Sequence, residues 1–268
     1  MLGKLMKHEW KETAKLLLPL NLILILLTVV GVVMLHTDMF QSDSMVALSI
    51  TCTLFYTLSI LALFIITAVY LLNRYYRTMF SRQGYLTHTL PVSESAIVNT
   101  KFLVSGIWIL IAMLITVLSI FSLIATAAGD SLYLTSGTFK ETFGLSGMEL
   151  LFIGIVSVIV SSFSMVAMFF ASISIGQLFH QHRIAGAVIA YIVLYIIQQI
   201  IGTVLLTVFG FSNNVAAVGA VDTTISTGIS LASFYRSIIW SGIAQSAVFG
   251  ILFYLLCLHI AKKRLNLA

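Results

Sequence analysis

Residues 44–73, SMVALSITCTLFYTLSILALFIITAVYLLN, give the clearest indication of the fold of this chain. This stretch runs for 30 residues without an Asp, Glu, Lys or Arg. An α-helix needs roughly 20 apolar residues to cross the hydrocarbon core of a bilayer. Lipid offers no partner to backbone N–H and C=O groups, so such a segment must satisfy them within itself, as a helix does. The stretch is therefore predicted to be a transmembrane helix.

The same pattern occurs five more times along the 268-residue chain. Charged residues make up 9% of the chain, whereas an ordinary soluble domain has about 25%. Uncharged runs of 22 to 38 residues alternate with clusters of charge, and each run holds one crossing. They predict an all-α membrane protein with six transmembrane helices, forming a single domain over residues 1–268. The expected spans are approximately 17–36, 45–72, 102–127, 149–176, 184–210 and 238–260.

The distribution of lysine and arginine predicts the orientation of the chain. Twelve of these residues lie in the N-terminal arm, in the connections 2–3 and 4–5, and in the C-terminal tail. The other connections hold only Lys140 and Arg236. Because basic residues are retained on the cytoplasmic side, both termini are expected in the cytoplasm.

Two shorter elements are predicted at the membrane surfaces. In residues 1–15, apolar residues recur at helical spacing and four lysines occupy the other side. This pattern is typical of an amphipathic helix in the cytoplasmic interface, with Trp10 at headgroup level, although a plain basic arm is an alternative. Residues 211–237 carry only Asp222 and Arg236 as charges among small and apolar residues. They predict short re-entrant or surface-lying helices between spans 5 and 6.

The connection between spans 2 and 3, residues 73–101, has 29 residues and is dense in aromatic rings and arginines. A connection that only reverses the chain could be much shorter. Pro91 interrupts it, and Ser93 can cap a helix that continues into span 3. We expect a short helix or hook at about 76–90 that projects into the cytoplasm. Its apolar side chains need cover from a partner or from lipid headgroups.

Motifs for chemistry are missing from the sequence. The phosphate-binding pattern G-x-x-x-x-G-K-[ST] and the metal-binding pattern H-E-x-x-H are both absent. His180 and His182 are two residues apart and have no third ligand nearby in sequence. We therefore expect no catalytic residue, no bound cofactor and no metal site. The spans also lack the mid-depth charges that ion-coupled carriers commonly use, so a membrane subunit driven by a separate ATPase is favoured.

The connection 2–3 resembles the cytoplasmic loop of bacterial ABC-2 type transporter permeases. The resemblance is carried by Arg77, Phe80, the run Gly84–Thr87, the run Thr89–Ser93, and Lys101 at the start of span 3. It is closest to the small permeases common in Gram-positive bacteria. In architecture the likeness extends over most of the chain, whereas in motif it covers only residues 77–101.

The resemblance implies the transmembrane subunit of an ATP-driven exporter in the bacterial plasma membrane. Such a subunit pairs with itself or with a related permease, and with two cytoplasmic ATPase subunits that bind the ATP and Mg²⁺. The substrate would be an amphiphile such as a peptide, lipid, drug or glycan, and some family members serve in antimicrobial resistance. By position, the contact with the ATPase would involve Phe80, Arg82, Gly84, Tyr85, Leu86, Leu90 and Pro91, with Phe179, His180 and Arg183 in a lesser contact.

The resemblance also implies that spans 2 and 5 line the translocation path, with Thr53, Thr57, Gln198 and Gln199 as candidates. Considered as residues alone, the two glutamines are expected to form hydrogen bonds between helices, with the lining of a wet cavity as the alternative, because an amide in lipid needs a partner. A membrane sensor, scaffold or accessory protein without transport of its own is the alternative function. It would have no ATPase partner.

Overall fold

The structure is a computed structural model that describes residues 2–36, 46–80, 94–128, 147–179, 182–218 and 227–263. Within these ranges there are six α-helices and no β-strand. Each helix is long and apolar enough to cross a membrane, which confirms the six predicted helical segments. In chain order the helices are α1 (Leu2–His36), α2 (Val46–Phe80), α3 (Glu94–Ala128), α4 (Gly147–Gly176), α5 (Arg183–Val218) and α6 (Thr227–Lys263).

The first helix is continuous where two elements were expected. α1 runs for 35 residues with Pro19 inside it, so the predicted N-terminal helix 1–15 is not separate from span 1. Proline removes one backbone hydrogen bond and crowds the preceding turn. On either side of it, Leu17 and Asn21 are buried, and Asn21 Nδ2 donates to the Leu17 carbonyl over 2.7 Å. The helix nevertheless continues across the proline without interruption. The location of its first turns at a membrane surface stays a prediction.

Short separate helices were predicted for residues 211–237, but the C-terminal end of α5 and the N-terminal end of α6 cover the described part of this segment. Residues 211–218 continue α5 and residues 227–237 belong to α6, while 219–226 lie outside the described residues. Separate re-entrant or surface-lying helices are therefore not confirmed in the described part of this segment, which belongs to α5 and α6. Extending an existing helix adds one hydrogen bond per residue, whereas a new helix must first overcome the cost of nucleation.

A similar extension occurs at the C-terminal end of α2. This helix continues to Phe80, so residues 76–80 of the predicted hook are its last turn rather than part of a separate element. Residues 81–93 lie outside the described residues, and α3 begins at Glu94. The expected start of the hook near residue 76 is thus corrected, while the remainder of the hook stays a prediction.

The helices form two compact units, α1–α3 and α4–α6. In the first unit α1 packs against both α2 and α3, and a small apolar core lies where the three helices meet. Contacts near both ends of α1 show that α3 runs parallel to it and α2 antiparallel. These contacts join Glu9 to Lys101 and Arg74, and Thr28 to Ser119, which also contacts Tyr56.

In the second unit α4 packs against both α5 and α6. Small residues at these contacts allow the backbones to approach closely. A Cβ atom placed on Gly250 of α6 would lie 3.2 Å from the Cα atom of Ser164 in α4. At the end of α4, a Cβ atom on Gly176 would lie 2.6 Å from the backbone of Ala187 in α5. Glycine at position 176 therefore permits the close approach of the end of α4 to the first turns of α5.

Candidate functional site

A cluster of four charged side chains links the three helices of the first unit. Glu9 of α1 accepts two hydrogen bonds from the Arg74 guanidinium of α2, from Nε to Oε1 at 2.6 Å and from Nη2 to Oε2 at 3.1 Å. The same guanidinium binds the carboxylate of Glu12. A guanidinium that meets both oxygens of a carboxylate forms one of the stronger ion pairs in proteins.

The third helix contributes Lys101, whose Nζ lies 3.2 Å from Oε1 of Glu9. The Lys101 side chain is 8% exposed, and the side chains of Glu9 and Arg74 are 16% and 17% exposed. A charge removed from water to this degree is costly unless it is paired. Two cations and two carboxylates meet here, so the cluster is neutral and each buried charge lies beside an opposite one. We call Glu9, Glu12, Arg74 and Lys101 the ionic cluster.

Aromatic side chains pack beside the ionic cluster, towards the middle of the helices. Trp108 Nε1 of α3 donates to Thr13 Oγ1 of α1 over 2.8 Å, and the Trp10 and Trp108 rings stack with their centroids 4.7 Å apart. Tyr70 OH of α2 donates to the carbonyl oxygen of Glu12 over 3.3 Å. The Trp10 ring therefore packs against protein, a contact that the periodicity of residues 1–15 did not indicate.

The ionic cluster lies near the end of α2 and the beginning of α3, the two helix ends that flank the connection between these helices. Arg74 is six residues before Phe80, where α2 ends, and Lys101 is seven residues after Glu94, where α3 begins. At a rise of 1.5 Å per residue these separations are about 9 and 10 Å along the helices. The two helix ends that flank the connection are thus joined to each other and to α1 through the carboxylate of Glu9.

Sequence reasoning misses this cluster because its cross-helix partners are 62 to 92 residues apart. Arg74 and Lys101 enter the sequence analysis only as charges that orient the chain. The signal that could have indicated the cluster is the pair Glu9 and Glu12, two carboxylates in an otherwise basic arm. At 100° per residue, Glu9 lies on the opposite side of α1 from the lysines. An acid on the packed side of a helix needs a cation from a neighbouring helix.

Three of the residues predicted to contact an ATPase lie in the described part of the chain. Phe80 packs edge to face on Tyr75, with ring centroids 5.8 Å apart. Phe179 is 50% exposed in the turn after α4, and its ring covers Gly186, where an added Cβ atom would lie 2.6 Å from it. Arg183, which is half-buried, is the first residue of α5. The remaining predicted residues lie outside the described residues: Arg82, Gly84, Tyr85, Leu86, Leu90, Pro91 and His180.

The polar residues predicted to line a path are divided between the two units. Thr53 and Thr57 are exposed on α2 and donate to carbonyl oxygens of their own helix over 2.9 and 2.8 Å. On α5, Gln199 is exposed and Gln198 is half-buried. The Gln198 carbonyl accepts a hydrogen bond from Gln245 Nε2 of α6 over 2.9 Å. An interhelical amide contact is thus present at this level, although Gln245 supplies the amide, and the path itself stays a prediction.

No family model, curated protein or solved structure matches this chain. In the part of the chain that the structure describes, no three His, Cys, Asp or Glu side chains come together in a way that could hold a metal ion. The described residues instead bring together the ionic cluster, which joins three helices that are each able to cross a membrane.

Proposed function

We propose that this chain is the transmembrane subunit of an ATP-driven exporter of the ABC-2 type. It moves an amphiphilic substrate, namely a peptide, lipid, drug or glycan, across the bacterial plasma membrane. Separate cytoplasmic ATP-binding subunits supply the energy, since the sequence contains no phosphate-binding loop. The chain pairs with a second permease, and both of its termini are cytoplasmic. Residues 81–93 form the contact with the ATPase.

The observation that carries this proposal is the position of the ionic cluster near the two helix ends that flank the connection 2–3. A coupling element must transmit a displacement of the ATPase to the membrane helices. If the helix ends on either side of that element were not joined to the other helices, the displacement would be lost in local movement. The contacts of Glu9 with Arg74 and Lys101 join both flanks of the connection to α1. A force applied to residues 81–93 would therefore act on α1, α2 and α3 together.

The turn between α4 and α5 supports a second, smaller contact. Leu178 and Phe179 are 40% and 50% exposed there, and Arg183 begins α5 a few residues later in the sequence. Exposed apolar side chains next to a cation are common at protein interfaces, where the apolar part is covered and the charge selects the partner. In our proposal this turn contacts the same ATPase as residues 81–93.

Purification of the tagged chain from its own cells, in a mild detergent, tests the proposal directly. We expect an ATP-binding cassette subunit to co-purify in an equal amount, identified by mass spectrometry. Tyr85→Asp combined with Leu86→Asp should release that subunit, because two charges placed in an apolar contact are costly to bury. The matched control is Tyr133→Asp with Leu134→Asp, which changes the same dipeptide in the connection between spans 3 and 4. It should retain the subunit.

Labelling of single cysteines tests the orientation independently. In a chain that carries Cys52→Ala and Cys257→Ala, Thr87→Cys should resist a membrane-impermeant thiol reagent added to intact cells, whereas Thr135→Cys should react. Reaction at Thr87→Cys would contradict the proposal. The absence of any ATPase from the purified wild-type chain would instead favour a sensor or scaffold without transport.

A further inference from the structure

The lysines in the first turns of α1 lie on one side of the helix. Lys4, Lys7, Lys11 and Lys15 are all exposed. At 100° per residue they fall within an arc of about 80°, and Glu9 lies on the opposite side of the helix. We call these four residues the lysine face. The side of α1 that carries Glu9 packs against α2 and α3, so the lysine face is the side left open.

The two carboxylates in the first turns of α1, those of Glu9 and Glu12, are paired with cations other than those of the lysine face. Glu9 is held by Arg74 and Lys101, and Glu12 is held by Arg74, with His8 Nδ1 3.6 Å from its other oxygen. Among the residues that the structure describes, no carboxylate forms an ion pair with the lysine face. The ionic cluster thus leaves the positive charge of the lysine face without a counter-charge from the described protein.

The apolar run at residues 16–37 sets the depth of these lysines. Its 22 residues extend about 33 Å as a helix, close to the roughly 30 Å of a hydrocarbon core. Taking α1 to cross the membrane along its normal, Lys15 lies at the edge of the core and Lys11 about 6 Å beyond it, in a headgroup layer about 5 to 8 Å thick. Lys7 and Lys4 lie about 12 and 16 Å beyond Lys15, outside that layer.

The same side of α1 continues into the core as an exposed apolar surface. Leu18, Leu22, Ile25 and Val29 are 50%, 48%, 40% and 54% exposed. At 100° per residue all four fall within the 80° arc of the lysine face. A ligand that followed this side of the helix would meet two ammonium groups at headgroup depth and then only hydrocarbon. A phospholipid has the matching arrangement, a charged phosphate followed by hydrocarbon chains.

We propose that Lys11 and Lys15 bind the headgroup phosphate of an anionic phospholipid whose acyl chain lies along Leu18, Leu22 and Ile25. The two lysines are one helical turn apart, close enough for one phosphate to contact both ammonium groups. Their side chains lean towards the N-terminus of α1 and so towards the headgroups, which spares the charges from entering hydrocarbon. This binding does not depend on the proposed transport function.

Titration of the purified full chain with phosphatidylglycerol and with phosphatidylcholine, followed by native mass spectrometry, tests the inference. We expect Lys11→Gln with Lys15→Gln to lower the preference for phosphatidylglycerol about 25-fold, since each juxtamembrane lysine contributes about fivefold. Lys11→Arg with Lys15→Arg should keep the preference. The matched control, Lys4→Gln with Lys7→Gln, removes the same charge from the same face outside the headgroup layer and should lower it less than about fivefold.

Three results would overturn the inference. Equal losses in the two glutamine pairs would mean that the preference reflects net charge alone. Displacement of phosphatidylglycerol by excess inorganic phosphate would mean that the lysines hold a free anion. An unchanged preference in Lys11→Gln with Lys15→Gln, accompanied by loss of a co-purifying protein, would assign the lysine face to a protein partner.

Discussion

Replacing Glu9 by glutamine should lower the free energy of unfolding of this chain by about 3 kcal/mol. Removal of one partner from a buried ion pair costs roughly 3 to 5 kcal/mol, because the other charge is left without compensation. The lower end of that range applies here, since Arg74 keeps Glu12 as a partner. Lys101 is affected most, because its side chain is 8% exposed and it loses the carboxylate 3.2 Å from its Nζ.

The assay is reversible unfolding in mixed micelles by titration with SDS, followed by tryptophan fluorescence. A double-mutant cycle of Glu9→Gln with Lys101→Met should yield a coupling energy of at least about 1 kcal/mol, as expected for two residues in one ionic network. The matched control is Glu149→Gln, which breaks an ion pair with Arg236 whose side chains are 50% and 54% exposed. An exposed pair contributes about 0 to 1 kcal/mol. A loss for Glu9→Gln no larger than this control, or additive effects in the cycle, would show that Glu9 does not stabilise the buried charges of Arg74 and Lys101.

Two further predictions concern packing, and the same unfolding titration measures both. Trp108→Phe keeps an aromatic ring but removes the donor to Thr13, and it should cost about 1 kcal/mol; an unchanged unfolding curve would contradict the hydrogen bond. Gly176→Ala places a methyl group 2.6 Å from the backbone of Ala187 and should cost about 1 to 3 kcal/mol. Gly154→Ala is its control, because no atom lies within 4 Å of the added carbon, and it should be neutral or stabilising.

The existence of the six helices could be predicted because it depends on composition within single segments. Ionised side chains avoid hydrocarbon, and a backbone in hydrocarbon must be helical. Uncharged runs therefore predict membrane-spanning helices even when the neighbouring helices are not known. The ends of the helices could not be predicted as well. Residues 1–15, 76–80 and 211–218 were expected to begin or form separate elements, yet each belongs to a long helix. Their continuity depends on the packing of neighbouring helices and on the low cost of extending an existing helix.

The candidate sites divide in the same way. The resemblance over residues 77–101 indicates where the proposed ATPase would bind, and periodicity indicates the lysine face, since both are properties of adjacent residues. Neither could indicate that Glu9 would pair with Arg74 and Lys101, which are 65 and 92 residues away. Any of several Lys or Arg side chains could pair with a carboxylate on the surface of α1. Only the relative position of the three packed helices brings Arg74 and Lys101 to Glu9.

Six helices that are each long and apolar enough to cross a membrane follow from the amino-acid sequence alone, because length and apolar character are properties of each segment. Which side of each helix packs against protein and which side stays exposed follows only from the way the helices pack. On α1 that packing turns Glu9 and Trp10 inwards and leaves Lys11 and Lys15 outwards. The physical reason is that a buried charge requires an opposite charge within about 4 Å, and only the packing of distant segments can bring one there.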